Sequence, residues 1–271
     1  YPTDFTRDIV PKPIHSHNDY WRNPPFYHAL SHGATSIEAD VYLDGSTLYV
    51  GHHPHSLSSS RTLKSLYVLP IITTLHKQNP APVFPFSYQN GVFDMDPTQT
   101  LYLFIDFKVL PEQGEKHVQD TWDAVVKALE PLRRGDWVSY VRNDTLINRP
   151  VTIIGTGATP LKNVREMEPR YIFLDAQLSD PGDVGPLEAL FASTNLVSAV
   201  GEIKPSGLDE RQLRIIRKQI ARAHERGIQT RYWNLPEWPI RMRDKVWRAL
   251  VEEGVDLLSV NDVRAAAEGA W

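Results

Sequence analysis

The segment TSIEADVYL, residues 35–43, reads as a strand over Ser36–Leu43, and it carries two carboxylates where a buried strand should carry none. Glu38 and Asp40 are two residues apart, so both project from one face. Carboxylates in an apolar run are costly to bury unless they are paired, hydrogen-bonded or bound to a cation. The pattern recurs in LYLFIDFK, residues 101–108, where Asp106 and Lys108 are again two apart. Strands that deliver polar groups at their C-terminal ends are the habit of a parallel α/β barrel.

Outward from these two segments, short β-branched runs alternate with helical periods. Strands are expected at Pro13–His15, Ser36–Leu43, Leu101–Lys108, Val151–Gly155, Tyr171–Asp175, Val197–Glu202, Gln229–Asn234 and Asp256–Val260. Helices are expected at Pro25–Leu30, Leu63–His76, Glu115–Leu132, Leu161–Glu168, Pro186–Phe191, Glu210–Arg226 and Pro239–Glu253. Eight strands, mostly followed by helices, within 271 residues predict one α/β (β/α)8 TIM-type barrel spanning residues 1–271. An open doubly wound sheet is the alternative, but no Gly-rich phosphate fingerprint follows the first strand. Asp44-Gly45 predicts a tight turn into a short extra strand. The stretch Asn79–Gln99 has four prolines, four aromatics and no period, which marks it as a lid or binding loop. Its Phe84, Phe86, Tyr88 and Phe93 form either a lipid-facing rim or a packed flap.

Composition excludes several classes. A hydrophobic share of 41 % supports a large core, and a net charge of −4 gives no electrostatic case for nucleic acid. No apolar run approaches the ~18 residues of a transmembrane segment. Without cysteine there are no disulfides and no thiolate metal sites. The chain opens on Tyr1 rather than Met and carries the sequon Asn143-Asp144-Thr145, from which we expect secretion and a glycan at Asn143; a monomer is also expected. The lack of cysteine counts slightly against secretion.

Seven of the ten histidines fall within the first 55 residues, around the acidic pair. KPIHSHNDYW, residues 12–21, brings His15 and His17 to the end of the first strand, and the extra strand brings His52, His53 and His55. Glu38, Asp40 and Asp106 supply the hard oxygen ligands of Mg²⁺ or Ca²⁺, with Zn²⁺ open if a histidine joins them. Two histidines beside such a cation form an acid–base pair near neutral pH, a set suited to phosphoryl chemistry. His53 and His55 read as solvated turn residues, and His28 and His32 as helix-surface residues. Asp175, Glu202, Lys204, Trp233 and Asn234 complete the predicted strand ends; of these, Glu202, Trp233 and Asn234 join Lys108 as candidate substrate contacts. A glycoside hydrolase using two of Asp106, Asp175 and Glu202 is the competing enzyme, though it leaves the histidines without a role. A non-catalytic carbohydrate- or lipid-binding barrel is the third class.

HSHNDYW, ALSHGATSIEADVYL and LYVGHH together resemble the amino-terminal signature of the phosphatidylinositol-phospholipase-C-like phosphodiesterase superfamily. That superfamily includes glycerophosphodiester phosphodiesterases and sphingomyelinase D enzymes of the spider-venom type. The HNDY and EADV elements are most similar to a fungal and bacterial branch of it. The resemblance covers residues 12–108 and implies a (β/α)8 barrel with two catalytic histidines and one divalent cation held by acidic residues. It matches His17 to the first family histidine, with His15 as a competitor, and His52 to the second. It matches Glu38 and Asp40 to the E-x-D metal pair, Asp106 to the third-strand ligand and Lys108 to the lysine after it. Trp233 resembles a late-strand aromatic of related enzymes. Two departures stand out: Asn18 replaces the arginine of the usual HRG, and no PENT motif follows the acidic pair. The implied function is phospholipase C-type cleavage of a glycerophospholipid or related phosphodiester, at a membrane or micelle interface where the substrate is lipid.

Overall fold

The computed structural model describes residues 5–80, 89–110 and 112–269. Eight strands run parallel and close on themselves: β1 (Lys12–Ser16), β2 (Ala34–Asp44), β4 (Leu101–Phe107), β7 (Val151–Gly157), β8 (Ile172–Gln177), β9 (Ala189–Asn195), β10 (Gln229–Trp233) and β11 (Leu257–Val260). Closure is direct, because β1 pairs with β2 on one side and β11 on the other. The predicted extra strand is β3 (Thr47–Val50), antiparallel to β2 across a turn at Gly45, whose φ of 59° favours glycine. A second hairpin, β5 (Tyr140–Arg142) and β6 (Thr145–Ile147), turns at Asn143, which is exposed.

The helices are α1 (Tyr27–Ser31), α2 (Leu69–Gln78), α3 (Gly114–Arg134), α4 (Leu161–Glu166), α5 (Leu196–Val200), α6 (Glu210–His224), α7 (Ile240–Glu252) and α8 (Val263–Glu268). α6 starts where its sequence says it should. The Asp209 side chain accepts from the Gln212 N–H at 2.9 Å, and the Gln212 side chain accepts from the Asp209 N–H at 2.9 Å. α3 buries Trp122, Val125, Leu129 and Leu132, one face at helical spacing, against the outer wall of the sheet.

One stretch departs from expectation. Residues 189–195 form strand β9 where a helix was expected over Pro186–Phe191, and residues 196–200 form helix α5 where a strand was expected over Val197–Glu202. Asn195 decides the boundary, since its side chain accepts from the Ser198 N–H at 3.1 Å and caps α5. The β-branched Val197 and Val200 suggested a strand, but the cap and the pairing of β9 with β8 and β10 prevail. Glu202 is therefore not at a strand end.

Two apolar layers result. The larger lies between strands and helices. The smaller fills the barrel floor with Phe104, Ile154, Phe173, Phe191 and Leu257. Phe93 is fully buried in the larger layer, so it belongs to no exposed rim. Phe84, Phe86 and Tyr88 lie outside the described residues. The described flanks of that loop close on each other at the end of α2, where the Asn90 N–H donates to Asn79 Oδ1 at 2.8 Å. Above the apolar floor, inward positions of β1, β2, β4, β8 and β10 become polar, and the candidate site begins there.

Candidate active site

Register brings the acids together. β2 and β4 pair with Asp40 opposite Asp106 and Glu38 opposite Phe104, so Glu38 stands one layer deeper. Among the described residues, Glu38, Asp40 and Asp106 form one group whose oxygens lie within 4.8 Å of one another. Burial raises the Asp40 carboxyl to about 7, helped by the charges of Glu38 and Asp106 and opposed by Lys108. Burial likewise raises Asp106. Lys108 Nζ bridges the pair, 3.1 Å from Asp40 Oδ2 and 2.5 Å from Asp106 Oδ2. Among the described residues, Asp40 Oδ1 is buried with no hydrogen-bond partner. Converging carboxylates that repel one another, with an orphaned oxygen among them, fit a hard divalent cation.

Glu38 behaves differently. Its burial alone would raise the carboxyl, but His15 and His17 beside it and the Arg231 charge hold it well below the usual range. It also accepts from the Asn18 N–H at 3.0 Å. Asn18 adopts a left-handed conformation with φ of 50°, which asparagine tolerates better than most residues, and that turn aims its N–H inward.

The two histidines of β1 sit at different depths. His15 is fully buried. Its Nδ1–H donates to Ser36 Oγ at 2.7 Å, and its Nε2 accepts from Arg231 Nη1 at 2.7 Å. Burial and the Arg231 charge push it down to about 3, so it stays neutral with both nitrogens committed. His17 is part-exposed at the mouth. Its Nδ1–H donates to Asn261 Oδ1 at 3.0 Å, leaving Nε2 3.8 Å from Glu38 Oε2. The side chain of Asn261 donates to Glu237.

His52 follows β3, fixed by a bond from the Gly51 N–H to the Asp40 carbonyl (3.2 Å) and one from Tyr42 Oη to its own carbonyl (3.0 Å). Its Nδ1–H donates to Tyr20 Oη at 3.1 Å, and it lies 3.6 Å from Asp40 Oδ2. Burial, with His53 and Lys108, lowers its pKa below the ordinary histidine value, which makes its protonated form a ready donor. Tyr20 Oη also lies 2.9 Å from Asp40 Oδ2 and 2.7 Å from Asn18 Oδ1, with its own pKa pushed upward by burial and the acids, so it stays protonated. His53 and His55 are exposed.

Sequence reasoning missed Arg231. This buried arginine donates Nε to Ser193 Oγ at 2.9 Å and Nη2 to Asp175 Oδ2 at 2.9 Å, and its Nη1 lies 3.5 Å from Glu38 Oε1. Its guanidinium stacks 4.5 Å from the Phe104 ring centroid. The available signal was parity: Arg231 is two residues before Trp233 and shares its face. Trp233 ends β10, part-exposed, and Asn234 follows with φ of 57°. Asn234 and His17 both line a small cavity of about 40 Å³. Glu202 lies on an exposed loop after α5 instead of at the strand end expected for it. Asp175 is bound to Arg231 rather than free. A groove of about 1020 Å³ runs along the outer wall between the β2–β3 turn and α3, and none of these site residues lines it.

The closed barrel, with paired acids on β2, an acid on β4 and histidines after β1 and β3, defines the phosphatidylinositol-phospholipase-C-like class of phosphodiesterase. Residues 3–175 match the AIM6-like phosphodiesterase domain, and the chain belongs to that family. It is 48 % identical over 277 residues to an altered inheritance of mitochondria protein 6 homolog of Arthroderma benhamiae, covering 98 % of this chain and 86 % of that one. It is 34 % identical to altered inheritance of mitochondria protein 6 of Eremothecium gossypii, covering 97 % and 71 %. Among solved structures it is similar to a putative glycerophosphoryl diester phosphodiesterase from Silicibacter pomeroyi DSS-3, with a TM-score of 0.49, 14 % identity and coverage of 97 % and 95 %. The fold assignment itself stands on the strand pairings.

Proposed function

We propose that the protein is a divalent-cation-dependent phosphodiesterase of the phospholipase C type, acting on a glycerophospholipid or related phosphodiester. The observation that carries this reading is an acidic trio flanked by two histidines, one beside Glu38 and one beside Asp40. Glu38, Asp40 and Asp106 would hold the cation, and an all-oxygen set suits Mg²⁺ or Ca²⁺ better than Zn²⁺. When bound, such a cation neutralises the phosphoryl oxygens. His17, oriented by Asn261, takes the proton of the attacking hydroxyl on Nε2. His52, oriented by Tyr20, returns a proton to the leaving oxygen. Lys108 binds the phosphoryl group, while Trp233 and Asn234 border the head group. His15 serves as a support beneath Glu38, which leaves His17 as the first catalytic histidine.

The test is hydrolysis of a phospholipid and of a soluble phosphodiester, with and without chelator. We expect chelation to abolish turnover and Mg²⁺ or Ca²⁺ to restore it. His17→Ala and His52→Ala should each lower kcat by about 10²–10⁴ with circular dichroism unchanged. Full activity after exhaustive chelation, with no metal by elemental analysis, would falsify the metal-dependent reading.

A further inference from the structure

The rim of the barrel mouth carries large apolar side chains that the reaction above does not need. Trp238 is 75 % exposed and Ile240 50 %, both on the segment that leaves β10 for α7. Trp21 is 53 % exposed on the loop that leaves β1, its ring 5.2 Å from that of His52. Those two segments meet beside His17. Arg22 Nη2 donates to the His17 carbonyl at 3.0 Å, and Asn261, which orients His17, donates to Glu237 next to Trp238. Indole and isoleucine groups turned to water around one opening mark an interaction surface, and tryptophan suits a boundary that is apolar on one side and wet on the other.

Cations follow at once. Arg241, Lys245 and Arg248 are spaced i, i+4 and i+7, so they share one face of α7. All three are exposed, and none makes an ion pair among the described residues, whereas Arg243 is paired with Asp244 and Asp262. A shallow groove of about 440 Å³ runs along this face from Ile240 to Glu252. With a net charge of −4 the whole chain has no general attraction to an anionic surface, so any such attraction must be local to this patch.

We propose that this rim docks the protein on an anionic phospholipid membrane, Trp238 and Ile240 entering the lipid and the α7 cations meeting its phosphates. The inference rests on the phosphodiesterase reading and deepens it, since it makes the substrate a lipid held in a surface. The position of the patch selects the occupant. Whatever covers Trp21 and Trp238 also covers the approach to His17 and His52; a protein partner seated there obstructs the site, while a lipid surface supplies it with substrate. Apolar groups beside unpaired cations match the order of acyl chain and phosphate at a membrane.

The experiment is co-sedimentation with vesicles of phosphatidylcholine alone and of phosphatidylcholine mixed with phosphatidylserine, alongside hydrolysis of a soluble phosphodiester. The variants are Trp238→Ala with Ile240→Ala, and Arg241→Glu with Lys245→Glu and Arg248→Glu, each checked for fold by circular dichroism. Expected are salt-sensitive binding of the wild type to the mixed vesicles and affinity lower by about tenfold or more in each variant. Soluble turnover should be unchanged. Wild-type affinity in both variants, or no vesicle binding by a chain that hydrolyses the soluble diester, overturns the proposal. Vesicle binding lost in the variants, with no diester hydrolysed by any form, upholds the docking surface and sinks the phosphodiesterase reading instead.

Discussion

His15 and Arg231 are 216 residues apart in sequence and 2.7 Å apart in space, and their contact shows how this site is supported. Among the described residues, Arg231 is the one buried cation that both Glu38 and Asp175 face. Removing it would leave two buried carboxylates uncompensated, so Arg231→Met should cost about 3–5 kcal/mol of stability. Arg231→Lys should recover little, because an ammonium cannot reproduce the forked contacts to Ser193, His15 and Asp175. Urea denaturation measures both, and an unchanged midpoint in Arg231→Met would show that the network is not a support. Asp19 gives the pH-dependent counterpart. It accepts from Ser16 Oγ at 2.7 Å and from the Phe26 N–H at 2.7 Å, yet burial raises its carboxyl from 3.8 to about 6. A raised folded-state value means that the native state holds this proton more tightly than the unfolded chain. Its stabilising contribution is complete below 3.8 and is lost as pH rises through about 6. Asn mimics the protonated form, so the stability advantage of Asp19→Asn over wild type at neutral pH should shrink by roughly 3 kcal/mol on acidification to below the unfolded value. A difference that does not vary with pH would show that Asp19 is not so shifted.

At the scale of elements, the site depends on how closely β4 and β7 approach. Gly157 ends β7 with φ of 63°, and a Cβ there would overlap Asp106 Oδ1 and crowd the Phe107 carbonyl. Glycine is needed for the backbone angle and for the space. Gly157→Ala should displace the Asp106 carboxylate without unmaking the strand. Calorimetric Mg²⁺ or Ca²⁺ affinity should then fall by about tenfold, in the range seen when groups that orient a ligand are altered. Unaltered affinity in a folded variant would remove Asp106 from the ligand set. The β9–α5 boundary teaches a related lesson. Ala189–Phe191 has an apolar run that suits either helix or strand, and only Asn195 capping the next helix hinted at the answer.

Across the whole molecule, local pattern foretold much of the barrel and part of its site. The spacing of Glu38 and Asp40, the Asp44-Gly45 turn and the β-branched runs each report local burial, and local burial repeats with period 2 in a strand. The eight-strand barrel was therefore legible in sequence, as was the acid trio, whose members lie on adjacent strands. Depth and partnership were not. His15 and His17 share a face and a residue type, and only the closed barrel sends one to meet Arg231 and leaves the other at the mouth beside Asn261. Glu202 looked like a strand end and lies on an exposed loop. Local sequence determined which faces were apolar and which strands carried charge. Tertiary structure alone decided which charges meet, because a partner 216 or 244 residues away is set by strand register around the closed barrel, and no local period encodes it.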